Sequence, residues 1–365
     1  MEKVRLALKE NSYDIIIGSK ILSKLGCVLK SLNIGQDAII VTNPVIYKHY
    51  GKTVLLSLKK HGFTSKVFSI PSGEKSKSAK VAFDLMGKIA NYDVLKKPFI
   101  IALGGGVVGD LAGYLAASYK RGIPYVQVPT TLLAQLDSAI GGKVAIDLPV
   151  GKNLIGAFYQ PKVVFSDVST LSTLSKRQML NGLSEAIKYG IIYDKNLFYY
   201  IEKNYKKLIG VNSKALTEVV LNCSKIKAKV VSSDEKETKG LRTILNFGHT
   251  VGHAIEAGCK YDYYNHGEAV ALGMRVAVNI SVNLGMLKSE QELLINDLLS
   301  KVGLPQKIKN VSLGSIIQIM KHDKKFISKK NRFVLATKIG KVKVEVGIPE
   351  DVIKQAVRKF LNKNV

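Results

Sequence analysis

The chain has 365 residues, of which 46 % are hydrophobic and 23 % charged. These are ordinary globular values, and they exclude a disordered chain or a collagen-like fibre. Lys and Arg number 55 against 28 Asp and Glu, a net charge of +27, which favours anionic partners such as nucleic acid, anionic membrane, or phosphorylated and carboxylated metabolites.

At about 150 residues per domain the length predicts two domains, and a chain this long folds without a disulfide or metal staple. The first half alternates strand-like and helix-like segments. Tyr13–Ile17, Asp37–Thr42, Lys66–Ile70, Pro98–Leu103, Tyr125–Val128 and Val163–Asp167 are apolar or β-branched runs, and Val4–Leu8 is placed to form a hairpin with the first of them. Helical patterns at Val45–Lys60 and Ser78–Ala90 lie between. The alternation predicts a parallel sheet in an α/β domain. After Leu174 the periodicity becomes helical, at Ser175–Tyr189, Ser213–Val231, Asn246–Ala257 and Glu268–Leu284. Two short strands, Phe333–Ala336 and Val342–Val346, and a final helix close the chain. The expected domains are therefore 1–174, α/β, and 175–365, mostly α-helical.

The basic residues are dispersed in pairs (Lys59-Lys60, Lys206-Lys207, Lys324-Lys325, Lys329-Lys330), and there is no Trp. With no aromatic–basic interleaving, a solvated lysine-rich surface is the simpler reading and no nucleic-acid partner is expected. Cys27, Cys223 and Cys259 are odd in number and widely spaced, which predicts buried thiols in a reducing compartment. No apolar run approaches the ~18 residues that span a bilayer, and no apolar signal core follows Met1–Arg5. The expectation is a soluble, cytoplasmic protein with no membrane partner.

Three groups of residues carry chemistry. Leu103 leads into Gly104-Gly105-Gly106-Val107-Val108-Gly109-Asp110, in which Gly104, Gly106 and Gly109 satisfy G-x-G-x-x-G at a strand-to-helix junction. Backbone N–H groups and a helix N-terminus suit a pyrophosphate there. About 20 residues on stand Pro129 and Thr130, with no acid for a ribose, so an ordinary Rossmann site is disfavoured. An anion-binding turn of another kind and tight packing of a buried helix remain the two readings. Glu185, His249, His253 and His266 form the second group, with three of the chain's six histidines inside eighteen residues. Two imidazoles and a carboxylate with an open position suit a catalytic zinc site. Spacing leaves open which two histidines would ligate. Third come Asp137 to Lys143, Gly151-Lys152-Asn153, Lys188, Lys227, Arg242 and Asn246. These cations and small polar residues suit a phosphate and a carboxylate, with Arg best matched to the carboxylate.

These stretches, together with Ser72–Lys77, Val128–Gln135, Ser184–Gly190, Gly240–Glu256 and His266–Glu268, resemble the 3-dehydroquinate synthase family over about Thr42 to Leu335. The resemblance implies that 3-deoxy-D-arabino-heptulosonate 7-phosphate is converted to 3-dehydroquinate and phosphate. The implied route is transient oxidation by bound NAD, phosphate elimination, re-reduction and intramolecular aldol closure, assisted by a divalent metal, zinc or cobalt. It implies Glu185, His249 and His266 as metal ligands, with His253 on the substrate side. The implied NAD contacts are Asn43, Ser72, Gly73, Glu74, Lys75, Ser76, Lys77, Gly105, Gly106, Val107, Val108, Gly109, Asp110, Thr130, Thr131, Lys143, Lys152, Thr170, Leu171, Ser172 and Thr173. The implied substrate contacts are Asp137, Lys143, Asn153, Lys188, Lys227, Arg242, Asn246, His253 and one of Lys324 or Lys325. A homodimer is implied, with Arg121 reaching the neighbouring subunit. One departure is that Asp234–Arg242 carries one residue more than the family loop, which shifts Glu237 in register. The competing enzyme readings are another sugar-phosphate cyclase and a metal- and NAD-dependent polyol dehydrogenase.

Overall fold

The computed structural model describes residues 1–93, 96–322 and 331–362. The chain divides into two compact units, Met1–Leu174 with Leu216–Lys236, and Ser175–Ala215 with Glu237–Val365.

In the first unit, β1 (Glu2–Leu6) and β2 (Tyr13–Gly18) form an antiparallel hairpin. The sheet continues through β3 (Asp37–Thr42), β4 (Thr64–Ser69), β5 (Pro98–Gly104), β6 (Tyr125–Pro129) and β9 (Val163–Asp167), in the order β1-β2-β9-β6-β5-β3-β4. All pairings beyond the hairpin are parallel. The helices are α1 (Leu25–Leu32), the single turn α2 (Pro44–Ile46), α3 (Lys52–Lys60), α4 (Ala79–Tyr92) and α5 (Gly106–Ser118). Alternate residues of one strand serve opposite faces. Ile39 and Val41 of β3, with Ile100 and Ala102 of β5, pack under Leu85 of α4 and Leu111 of α5. Ala38, Ile40, Phe99, Ile101 and Leu103 pack against Leu29 of α1 and Val54 and Leu58 of α3. Covering both faces is why these strands read as continuous apolar runs.

The chain runs from β3 outward to β4, then crosses back to β5 on the other side of β3. The C-terminal ends of β3 and β5 therefore flank the switch point, where open α/β sheets bind ligands. Asn43 follows the first strand and the glycine turn follows the second.

A second hairpin, β7 (Lys143–Leu148) and β8 (Gly151–Phe158), lies against α5. A Cβ at Gly113 would stand 2.2 Å from Val144 Cγ1, so only glycine permits that approach. The sequence singled out these residues as cations, not as strands. Helix α8 (Ser213–Ser233) is shared: from Leu216 onward it belongs to the first unit, although a single boundary at Leu174 assigns it to the second. The attachments are polar and specific. Ala7 N–H donates to Ser232 Oγ (3.1 Å), Gln160 donates to Glu235 Oε1 (3.0 Å), and Lys227 bonds Asp137.

The second unit holds α6 (Lys176–Ile192), α7 (Lys195–Ile209), α9 (His249–Gly258), α10 (His266–Asn283), α11 (Ser289–Val302), α12 (Leu313–His322) and α13 (Glu350–Phe360). One antiparallel hairpin, β10 (Arg332–Lys338) with β11 (Lys341–Val346), accompanies them. Among the described residues no helix is long and apolar enough to cross a membrane. Cys223 and Cys259 are buried, but Cys27 is exposed. It corrects the expectation of three buried thiols, because α1 turns Leu25 and Leu29 inward and leaves Cys27 on the opposite side.

Asp37 ties together the starts of three strands. Its carboxylate accepts from Thr64 Oγ1 and from Lys97 N–H (2.9 Å), with the Lys96 ammonium at 3.7 Å. Burial alone would raise this carboxyl, but these donors hold it below its ordinary 3.8. A depressed folded value stabilises the fold above about pH 4, and the contribution is lost as pH falls through that value. Asp37→Asn should therefore lower stability by roughly 1–2 kcal/mol at pH 7. Urea unfolding should show the gap to wild type closing below about pH 4.

Candidate functional site

Glu185 sits mid-way along α6, a helix buried from Asn181 to Ile192 and capped by Ser175, whose Oγ accepts from Gln178 N–H. His249 opens α9. The sequence periodicity ran that helix from Asn246, but Leu241–Asn246 forms a 3-10 turn, and Gly248, at φ 78°, breaks the chain before the α-helix starts. His266 opens α10, after an Asn265–Glu268 capping box in which each side chain accepts the other residue's backbone N–H at 2.9 Å. Arg177 fixes Glu268 with two bonds of 2.7 and 2.8 Å. Asn181 Oδ1, one turn before Glu185, accepts the Gly267 N–H at 2.5 Å. Helices α9 and α10 touch at their backbones: a Cβ on Gly273 would stand 1.9 Å from the Gly248 carbonyl oxygen.

These contacts bring Glu185, His249 and His266 together. Their ligand atoms lie within 4.8 Å of one another. Glu185 Oε1 is 3.4 Å from His266 Nε2 and 3.6 Å from His249 Nε2. Such distances are too long for good hydrogen bonds. They match the roughly 3.4 Å between neighbouring ligands of a tetrahedral ion with bonds of about 2.1 Å. Both Glu185 oxygens are buried and accept no hydrogen bond among the described residues, an arrangement that a cation would complete. The Lys188 ammonium is ion-paired with the other oxygen, Oε2, which leaves Oε1 to the imidazoles.

Each imidazole also has a partner behind it. His249 Nδ1 lies 3.1 Å from the Phe247 carbonyl, and His266 Nδ1 lies 3.4 Å from Glu256 Oε2. Such partners turn the Nε2 lone pair toward a metal. Electrostatics follow the same layout. Burial opposes the charge of Glu185, but the Lys188 ammonium and the His266 ring hold its carboxyl at about 2. Burial, with Lys188 nearby, keeps His249 well below its ordinary value and so neutral. His266 is pushed up to about 10, because the Glu185 and Glu256 carboxylates outweigh its burial.

His253 is exposed, one turn along α9, with its ring 5.2 Å from that of His249. Arg242 is buried on the 3-10 turn, its Nε 3.5 Å from Glu237 Oε1, and Asn246 ends the same turn. Lys324 and Lys325 lie outside the described residues. Sequence reasoning missed Glu256 and Asn181. Glu256 was discoverable, since His249, His253 and Glu256 fall at i, i+4 and i+7 on one helix stripe.

In the first unit the strand ends collect the cofactor candidates. Gly105 to Val107 form the accessible turn that opens α5, while Gly109 packs against Gln127. Thr130 N–H donates to the Gly104 carbonyl at 2.9 Å, and Thr131 lies against Gly105. Buried Lys77 donates to Asp110 Oδ2 at 2.6 Å and to Asn153 Oδ1. Burial raises the Asp110 carboxyl to about 6 against the pull of that ammonium. Lys152 lies 3.6 Å from Glu74. Asn43 caps α2, and Tyr50 bonds both Thr170 and Thr173. Ser72 to Lys75 and Ser172 are exposed beside them, whereas Ser76 and Leu171 are buried. The turn has an accessible N-terminus and a tightly packed body, which is compatible with both readings left open by the sequence. Asp137 is bonded to Lys227 at 2.6 Å, and Lys143 and Arg121 are exposed.

A glycine turn at a sheet's switch point, in a chain that also carries a buried carboxylate facing two imidazoles, defines an α/β enzyme with a metal-type ligand set. Residues 67–181 match the family model described as 3-dehydroquinate synthase N-terminal, and residues 182–326 the one described as 3-dehydroquinate synthase C-terminal. The chain is 45 % identical to the 3-dehydroquinate synthase of Desulforamulus reducens, over 96 % of this chain and 98 % of that one. It is likewise 45 % identical to that of Thermoanaerobacter pseudethanolicus, over 97 % and 99 %. Among solved structures, a 2-deoxy-scyllo-inosose synthase complexed with carbaglucose-6-phosphate, NAD+ and Co2+ superposes with a TM-score of 0.89 at 26 % identity, covering 99 % of this chain and 100 % of that one. The chain belongs to the 3-dehydroquinate synthase family.

His266→Ala should strip bound zinc or cobalt and leave the helix content intact, measured by elemental analysis and circular dichroism. Gly273→Ala should lose metal and melting temperature together, because it forces α9 from α10.

Proposed function

We propose that this chain is a carbon–oxygen lyase that converts 3-deoxy-D-arabino-heptulosonate 7-phosphate to 3-dehydroquinate and inorganic phosphate in the cytoplasm. The observation that carries the reading is the Glu185–His249–His266 set, with Glu185 and His249 buried, in a chain of this family. When bound, a divalent zinc or cobalt ion supplies Lewis acidity to substrate hydroxyls, and NAD supplies a reversible hydride acceptor, so no net redox occurs. The support for both is the donor set above and a related cyclase whose structure holds NAD+ and Co2+.

The side chains do the positioning. Glu185, His249 and His266 hold the ion. Lys188, 2 % exposed, sets a fixed positive charge beside them, where a substrate oxygen gains negative charge. Arg242 offers a planar fork to the substrate carboxylate, steadied by Glu237. Asn246 and His253 orient hydroxyls, and exposed His253 suits a substrate-side role better than a ligand's. In the first unit, the N–H groups of the turn that opens α5, Gly105 to Val107, take the NAD pyrophosphate, with Val108 to Asp110 behind them and Asn43, Ser72 to Lys77, Thr130, Thr131, Lys152 and Thr170 to Thr173 around it. Lys143, Asn153 and the Asp137–Lys227 pair serve the substrate. The substrate's own phosphate takes the proton, so no side chain is assigned as base. Holding one flexible substrate in reactive geometry supplies up to about 7–11 kcal/mol. The active species is a homodimer, with exposed Arg121 directed to the neighbouring subunit.

Incubation with the heptulosonate phosphate, NAD and Co2+ should release phosphate with no NADH accumulating at 340 nm. Stoichiometric NADH without phosphate would instead make the protein a polyol dehydrogenase. Arg242→Ala should weaken transition-state binding by ~2–5 kcal/mol, chiefly as a raised KM. An unchanged KM would remove Arg242 from the carboxylate.

A further inference from the structure

We propose that Glu256 is a positioning residue for His266. Its carboxylate faces the Nδ1 edge of that ring at 3.4 Å, as an acceptor for the Nδ1–H, and so favours the opposite nitrogen as the metal ligand. The inference rests on the metal reading above and assigns to it a residue that the motif left without a role.

The geometry comes from α9 and the start of α10. His249, His253 and Glu256 occupy one stripe of α9, spanning about 10 Å along its axis at 1.5 Å per residue. The His266 ring lies over this stripe. Its centroid is 5.2 Å from that of His249 and 6.0 Å from that of His253. Nε2 points to Glu185 at 3.4 Å and Nδ1 to Glu256 at 3.4 Å, so the two ring nitrogens face two different carboxylates. The carboxylates are not equivalent. Glu185 stands within reach of a second imidazole and is fully buried. Glu256 is 6 % exposed and meets His266 from the helix that also presents His249. A neutral imidazole carries one N–H, and the nitrogen without it is the ligand. An acceptor fixed at Nδ1 therefore selects the tautomer and ring angle that expose the Nε2 lone pair.

His266 needs this more than His249 does. The side chain of the latter is 10 % exposed and anchored by the Phe247 carbonyl of its own chain turn. The side chain of the former is 31 % exposed. Its backbone is pinned by Asn181 and the capping box, but its ring has Glu256 as the partner on the side away from Glu185. The competing arrangement is a second ion held by His253, Glu256 and His266 Nδ1, whose atoms also lie within 4.8 Å of one another. Exposed His253 makes it the weaker set, and a Nδ1 bound to metal could not donate to Glu256.

The test is Co2+ binding to the full-length protein by equilibrium dialysis, with visible absorption of the bound ion. Wild type, Glu256→Ala and Glu256→Gln are compared. Wild type should bind one Co2+ per chain. Glu256→Ala should bind it 10–100-fold more weakly with a shifted d–d spectrum. Glu256→Gln, which keeps an acceptor oxygen, should recover to within about threefold. Equal affinity and spectrum in wild type and Glu256→Ala would overturn the proposal while leaving the metal reading intact. So would two ions per wild-type chain with one lost in Glu256→Ala, which would make Glu256 a ligand. A wild type that binds no Co2+ would overturn both.

Discussion

The burial of an ionised carboxylate inside a helical unit is the constraint around which the second half of this protein is arranged. Taking such a charge out of water costs several kcal/mol unless partners replace the lost hydration. Glu185 meets that demand with an ammonium one turn along its own helix and two imidazole edges from other helices. None of these contacts makes a sound hydrogen bond on its oxygens, so the arrangement is electrostatically favourable but incomplete. A divalent ion between the three side chains would complete it. The elements that bring them together are backbone devices: the left-handed Gly248 that starts α9 at His249, the capping box that starts α10 at His266, and the glycine contact that lets the two helices touch.

The first unit solves a different problem. Its strands are apolar on both faces, and each face is covered by its own helices. The accessible glycine turn and Asn43 lie in the loops at the strand ends. The switch between β3 and β5 places Asn43 and the glycine turn at those ends. The turn's glycines have two duties, since some admit close packing of α5 while others leave its N-terminus open. Buried Lys77, paired with Asp110 and Asn153, links the turn to the β7–β8 hairpin.

The doubly covered strands and helices α3, α4, α6, α8, α9 and α10 were legible in the sequence, because burial imposes apolar runs and periodicity directly, whereas α7 and α11 went unnamed. The ligand types were legible too, since few residues can hold a divalent ion. Their selection was not. Spacing alone left His253 level with His249 and His266, and it took three-dimensional packing to put His253 in solvent. The β7–β8 hairpin escaped because its exposed strand carries no alternation, with burial decided by contact with α5. The return of Leu216–Lys236 to the first unit escaped for a similar reason. Its helical pattern says which face is apolar, not which unit receives it. Glu256 escaped because a single carboxylate on a helix is most often a solvated charge, and its meaning depends on a ring from another helix.

The most direct test is anomalous X-ray scattering, at the cobalt or zinc edge, from crystals of the protein grown with that metal. One strong peak should lie about 2.0–2.2 Å from a Glu185 carboxylate oxygen and from the Nε2 atoms of His249 and His266. A peak at other side chains, or none in the second unit, would contradict this ligand set.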